Sequence, residues 1–198
     1  MAKNITEKDI INNIKDLMSF LGIIVDENTK ETPQRMVKAL QEMCCGINKE
    51  KEIKDILSVT FPTKYTGMIS QGAINIHSLC AHHLLPVIYD VFIGYIPKKR
   101  VIGFGKISKA TALLGARPQN QEDFTQDIAD TFKNNLKPYG IGVLVIGRHS
   151  CMFCRSNGVN HQNAFNITSA VRGSFRKNNA TKEEFLNNIN LSRGKQNI

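Results

Sequence analysis

Three runs of branched and aromatic residues most narrowly limit what this chain can fold into: MISQGAINIHSL (68–79), VIYDVFIGYI (87–96) and GIGVLVIGRHS (140–150). Each is strand-sized and rich in side chains that suit a pleated, half-buried surface. None approaches the ~18 consecutive apolar residues that a bilayer span requires. The first should bend near Gly72. PKKR (97–100) turns the chain, and VIGF resumes an extended pattern. KISKATALLGA then predicts a short helix. After RPQNQ a longer one carries Phe124, Ile128, Phe132 and Leu136 on one stripe until Pro138. AFNITSAVRGSF (164–175) is a fourth extended segment. Strand pairs flanking a helical pair predict an α+β fold, a mostly antiparallel sheet with helices packed on one face.

Upstream, residues 6–21 place Ile10, Ile11, Ile14, Leu17, Met18 and Leu21 on one helical stripe with Thr6 as N-cap. A second helix starts at ETPQRMVKAL, with Thr32 as its cap, Pro33 in its first turn and Gly46 at its end. The simplest division is an N-terminal helical extension, residues 1–48, and one domain over 49–198. The polar tail beyond Asn187 is expected to fray.

With 26 Lys and Arg against 17 Asp and Glu, the net charge of +9 suggests an anionic partner. No run of five basic residues occurs, which disfavours nucleic acid and leaves a nucleotide, an acidic surface or simply a basic solvated exterior. The opening MAKNITEKDI has no apolar signal region, and five cysteines form no regular framework. Both point to a reducing cytoplasm and no membrane.

Two short segments, HSLCAHHLLPV (77–87) and GRHSCMFCRSNGV (147–159), hold three of the five cysteines and four of the five histidines. Cys80 and His83, three apart at a strand end, can be turned toward one centre. His149 and Cys151, two apart on a strand, leave the same face. Zinc takes sulfur and imidazole nitrogen tetrahedrally, and a catalytic zinc keeps a position open beside three protein ligands. Two local pairs can supply that set. A redox dithiol is the poorer fit, because no amphipathic helix follows the CxxC of Cys151 and Cys154. Buried, incidental thiols remain the other reading. His77 reads as a polar packing residue and His161 as exposed.

Several motifs in one order carry a family resemblance over roughly residues 30–186. ETPQRMVKA, SLCAHHLLP, GYIPKKRVIGFGK, RPQNQEDFTQDIAD, HSCMFCRSNGV and TSAVRGSF with EEFL resemble GTP cyclohydrolase I. The resemblance implies a T-fold catalytic domain over 49–198 and a homo-oligomer, a decamer of two pentamers with active sites where subunits meet. It implies Cys80, His83 and Cys151 as zinc ligands, with His82 beside them as a proton-handling group. His149 would be the general acid that protonates nitrogen 7 of guanine. Gln121 and Glu122 would recognise the guanine edge, and Lys106, Lys109 and Arg155 would hold the triphosphate. The reaction implied is hydrolysis at carbon 8 of GTP, release of formate and formation of 7,8-dihydroneopterin triphosphate.

The chain also departs from the family pattern. Ala81 stands where the family has glutamate, Gly105 where it has serine and Lys109 where it has arginine, while Gly67 and Gly72 replace acidic positions upstream. The losses cluster around the sugar and phosphates. One alternative is therefore a relative that opens a different guanine nucleotide or stops at the opened pyrimidine. Another is a non-catalytic, zinc-stabilised nucleotide or nucleic-acid binder that recruits Cys154 as a fourth ligand.

Overall fold

The computed structural model describes residues 5–155 and 163–194; His161 lies outside them. The chain divides into two compact units, Met1–Cys45 and Gly46–Ile198.

In the first unit, α1 (Glu7–Phe20) and α2 (Thr32–Met43) join through Ile14, Met18 and Val37. Thr6 caps α1 as expected: its Oγ1 accepts from the Asp9 N–H at 3.3 Å, and the Asp9 carboxylate accepts the Thr6 N–H at 2.9 Å. This reciprocal pair satisfies two amide hydrogens that the helix leaves free. At α2 the cap differs from expectation. Glu31 takes the N-cap without a side-chain bond, Thr32 is the first helical residue, and the helix ends at Cys44 rather than Gly46. Pro33 still fits the first turn, where its missing N–H costs nothing.

The second unit opens with α3 (Glu50–Ser58), which the sequence reading missed; nine residues with Ile53, Ile56 and Leu57 buried give too short a periodic signal. Then come β1 (Thr60–Pro62), β2 (Ile69–Cys80), β3 (Pro86–Ile96), β4 (Arg100–Ile102), α4 (Phe104–Gly115), β5 (Pro118–Gln119) and α5 (Gln121–Leu136). They are followed by β6 (Gly140–His149), α6 (Ser150–Phe153), β7 (Asn166–Gly173), α7 (Ser174–Lys177) and α8 (Asn179–Gly194). The main sheet runs β5-β2-β3-β6-β7, antiparallel except where β5 meets β2, and β1 pairs with β4 apart from it. The β2–β3 register slips between Gln71 and Ile74. Gly72 permits this, since a Cβ there would lie 2.2 Å from the Phe92 ring.

This is the α+β, largely antiparallel architecture expected, and it is consistent with a T-fold. Helices α4 and α5 cover one face, with Ile107, Phe124, Ile128 and Phe132 against Ile76, Tyr89, Val91 and Val143. Each fully buried side chain of this kind contributes about 1.5–3 kcal/mol. To that layer the structure adds α8 on the opposite face, where Phe185 and Ile189 meet Met68 and Phe92. The tail beyond Asn187 is therefore helical through Gly194 rather than frayed, held by the burial of Ile189.

Candidate active site

One end of the sheet gathers the metal-binding side chains. Strand β2 ends at Cys80, and the following turn is closed by the Leu84 N–H donating to the Cys80 carbonyl (2.8 Å) and the Cys80 N–H donating to that of Leu85 (2.9 Å). Leu84 takes a left-handed φ of 52° to make it. The turn brings His83 Nδ1 to 3.6 Å and His82 Nδ1 to 3.9 Å from Cys80 Sγ. Across the sheet, β6 stops at His149, and Cys151 lies on the single helical turn α6 rather than on an extended strand. Ser150 Oγ donates to the Pro86 carbonyl at 2.6 Å and ties that turn to the start of β3. Cys151 Sγ ends 3.8 Å from Cys80 Sγ. The ligand atoms of Cys80, His149 and Cys151 all lie within 4.8 Å of one another.

These spacings suit a tetrahedral cation. Bonds of ~2.3 Å to sulfur and ~2.1 Å to nitrogen give tetrahedral edges of about 3.8 Å between two sulfurs and about 3.6 Å between sulfur and nitrogen. Cys80 stands at those separations from Cys151 and His83, but the three-residue cluster takes in His149 where the sequence pointed to His83. Burial, and then the hydrogen bond and charge of Cys80, push the Cys151 thiol up. A thiol held up in this way ionises more readily beside a positive charge. Cys154 is exposed and stands outside the three-residue cluster. His77 is exposed on the opposite face of β2.

His149 is held by Gln121, the first residue of α5. Gln121 is 3% exposed, and its amide nitrogen donates to Val145 O (3.2 Å), Asn166 O (3.0 Å) and Thr168 Oγ1 (3.1 Å). Three acceptors fix which end of the carboxamide is nitrogen, so the oxygen faces His149 Nε2 at 3.0 Å and can only accept. The imidazole therefore carries its hydrogen on Nε2 and leaves Nδ1 free. Gln121, expected to read the guanine edge, instead turns its side chain inward. Of the expected pair only Glu122 is exposed. Burial lowers the His149 pKa, and the Glu122 carboxylate partly opposes that shift.

A bare backbone makes this packing possible. A Cβ on Gly147 would lie 2.2 Å from Gln121 Oε1 and 2.9 Å from Tyr89 Cε1. Both side chains thus lie over that glycine. The sequence reading passed over Gly147 and Tyr89, because a glycine and an aromatic within strands carry no site signal of their own.

The expected phosphate-binding cations do not gather around this centre. Arg155 is near it, its Nη1 donating to His83 Nε2 at 2.9 Å. Lys106 and Lys109 stand on the first two turns of α4, and Lys109 Nζ lies 3.8 Å from a Glu52 carboxylate oxygen. Between them, Ser108 accepts a 2.7 Å bond from Gln71 near the far end of β2, nine residues from Cys80 and so roughly 30 Å along the strand. Arg117 pairs with Asp127 at 2.5 Å.

The GTP cyclohydrolase I family profile matches residues 10–190. The chain is 36% identical over 185 residues to GTP cyclohydrolase 1 2 of Nostoc sp. (strain PCC 7120), covering 92% of this chain and 84% of that protein. It is 36% identical over 186 residues to GTP cyclohydrolase 1 of Campylobacter concisus, covering 92% and 95%. Against GTP cyclohydrolase 1 of Thermoanaerobacter pseudethanolicus it is 32% identical over 188 residues, covering 94% and 98%.

Proposed function

We propose, on the premise that this chain belongs to the GTP cyclohydrolase I family, that it is a zinc-dependent hydrolase opening the imidazole ring of GTP at carbon 8. Formate leaves, and the product is 7,8-dihydroneopterin triphosphate. The observation that carries the zinc reading is the convergence of Cys80 Sγ and Cys151 Sγ at 3.8 Å, in a cluster that also takes in His149, with His83 Nδ1 3.6 Å from Cys80 Sγ.

Cys80, His83 and Cys151 would hold the ion, with His82 against the same thiol as a proton-handling group. Zinc bound there would supply the Lewis acidity that lets water attack at neutral pH. His149, whose Nε2–H is held by Gln121, takes up a proton at Nδ1 and, as the imidazolium, delivers it from that atom to nitrogen 7, which makes carbon 8 electrophilic. Glu122 accepts hydrogen bonds from the guanine edge, and Gln121 acts by orienting His149. Arg155, Lys106 and Lys109 bind the triphosphate.

Lys106 and Lys109 stand beside the end of β2 opposite Cys80, which supports a site shared between copies of the chain. We read the assembly as a decamer of two pentamers. Among the described residues no helix is long and apolar enough to cross a membrane. The cytoplasm is the proposed location.

Incubating the zinc-loaded protein with GTP, while following formate and pterin fluorescence, tests the reading. Both signals are expected. Formate without fluorescence rejects the full reaction and favours a product that stops at the opened pyrimidine. That outcome has two structural grounds: Lys109 is engaged with Glu52, and nothing lies within 4 Å of a Cβ placed on Gly105. Neither signal rejects GTP as substrate.

A further inference from the structure

Tyr89 is fully buried, yet its hydroxyl is among the few buried side-chain polar atoms that find no partner among the described residues. An unpaired buried hydroxyl costs roughly 1–3 kcal/mol, so its retention calls for a reason. The hydroxyl is not stranded in the middle of the core. On β3, Tyr89 pairs in register with Ile76 of β2 and Gly147 of β6, which stand four residues before Cys80 and two before His149 at the ends of those strands. Its ring stands edge-on to His149 at 5.9 Å between centroids and is braced by Phe124 at 5.1 Å. Only the bare Cα of Gly147 lets ring and Gln121 carboxamide lie side by side. Cys80, Glu122 and Cys151 all act on the phenol electrostatically and, after burial, push its pKa further up. It is thus a neutral donor at every physiological pH, within the electrostatic reach of both thiols and of the Glu122 carboxylate.

We propose that Tyr89 is a further catalytic residue of this site, its hydroxyl donating a hydrogen bond to the oxygen gained at carbon 8 of the bound guanine. This rests on the purine-opening reading above. No proton is transferred: the phenol stays protonated, and the bond strengthens as that oxygen gains negative charge in the transition state. Among the described residues the hydroxyl has no partner, and the reacting oxygen would supply one.

The test is Tyr89→Phe, which keeps the ring and removes one atom. Formate release should fall about 100-fold in kcat, with KM for GTP moving less than about threefold. By calorimetry, affinity for 8-oxo-GTP, which carries an oxygen on carbon 8, should drop about tenfold while affinity for GTP holds. The variant should melt at the same temperature as the wild type or higher, because an unsatisfied group has gone. A higher melting temperature with unchanged kcat and unchanged 8-oxo-GTP affinity would overturn the role of Tyr89 and leave the reaction standing. A wild type that releases no formate and binds neither nucleotide would overturn both.

Discussion

His149 and Gln121 are joined by a hydrogen bond of 3.0 Å from ring Nε2 to amide Oε1, and the same amide is anchored by β6 and β7. The orientation of the imidazole is thus set by a residue 28 positions away. Gln121→Leu should lower kcat for formate release by about 10- to 100-fold, since a misdirected general acid loses most of its contribution. KM for GTP should change little, because the wild-type amide has no free donor for the base. A rise in KM with kcat retained would return Gln121 to the guanine edge.

Gly147 is the space into which that amide fits. Gly147→Ala would put a methyl 2.2 Å from Gln121 Oε1. Overpacking of this kind costs typically about 1–3 kcal/mol, readable by urea denaturation, and activity should fall with it. Gly105→Ser is the contrasting case. Nothing lies within 4 Å of its would-be Cβ. Stability should hold or improve by up to ~1 kcal/mol, as glycine leaves a helix. KM for GTP should fall if the missing serine is what weakens triphosphate binding.

Metal content separates ligands from neighbours. Cys80→Ser and Cys151→Ser should each purify nearly free of zinc and release no formate. Cys154→Ser should keep both metal and activity, since that thiol stands outside the cluster. Elemental analysis of the three variants decides it; zinc lost with Cys154 would indicate a closed, structural site.

A shared site predicts complementation. Cys80→Ser and Lys106→Ala should each be inactive alone. Refolded together, they should recover up to about a quarter of wild-type activity through sites that draw an intact half from each chain, as a head-to-tail interface permits. No recovery in hybrid rings would place both residues in one protomer's site.

The N-terminal unit carries its own acid sensitivity. The hydroxyl of Thr6 and then its amide hold the Asp9 carboxyl below the ordinary carboxylate range. The stabilisation is therefore complete above pH ~4 and is lost as pH falls through the depressed folded value. Amide exchange in the first turn of α1 should accelerate over that acid range, and Thr6→Ala should make it fast at every pH.

Much of this was legible in the chain itself. Branched runs marked β2, β3 and β6, and the Phe124–Leu136 stripe marked α5, because one buried face imposes a period that composition cannot hide. Helix α3 escaped notice because nine residues give barely two turns. The end of α8 looked like a polar tail because Phe185 and Ile189 gain meaning only against Met68 and Phe92. At the site, cysteine and histidine spacing marked the metal donors. Spacing could not tell that Gln121 faces inward, since that depends on the bare Cα of Gly147 on β6. It was equally silent on Tyr89, whose hydroxyl is unsatisfied only once α5 has closed over the sheet.

Cys80 and Cys151 are 71 residues apart in sequence yet touch in space. Any ion gripping both sulfurs is a removable cross-link over a loop that includes β3, α4, α5 and β6, and such closures restrict the unfolded chain more as the loop lengthens. Scarcity of the ion would therefore leave a chain that opens more readily and is more exposed to proteases, so that the amount of protein, and not only its turnover, would follow metal supply.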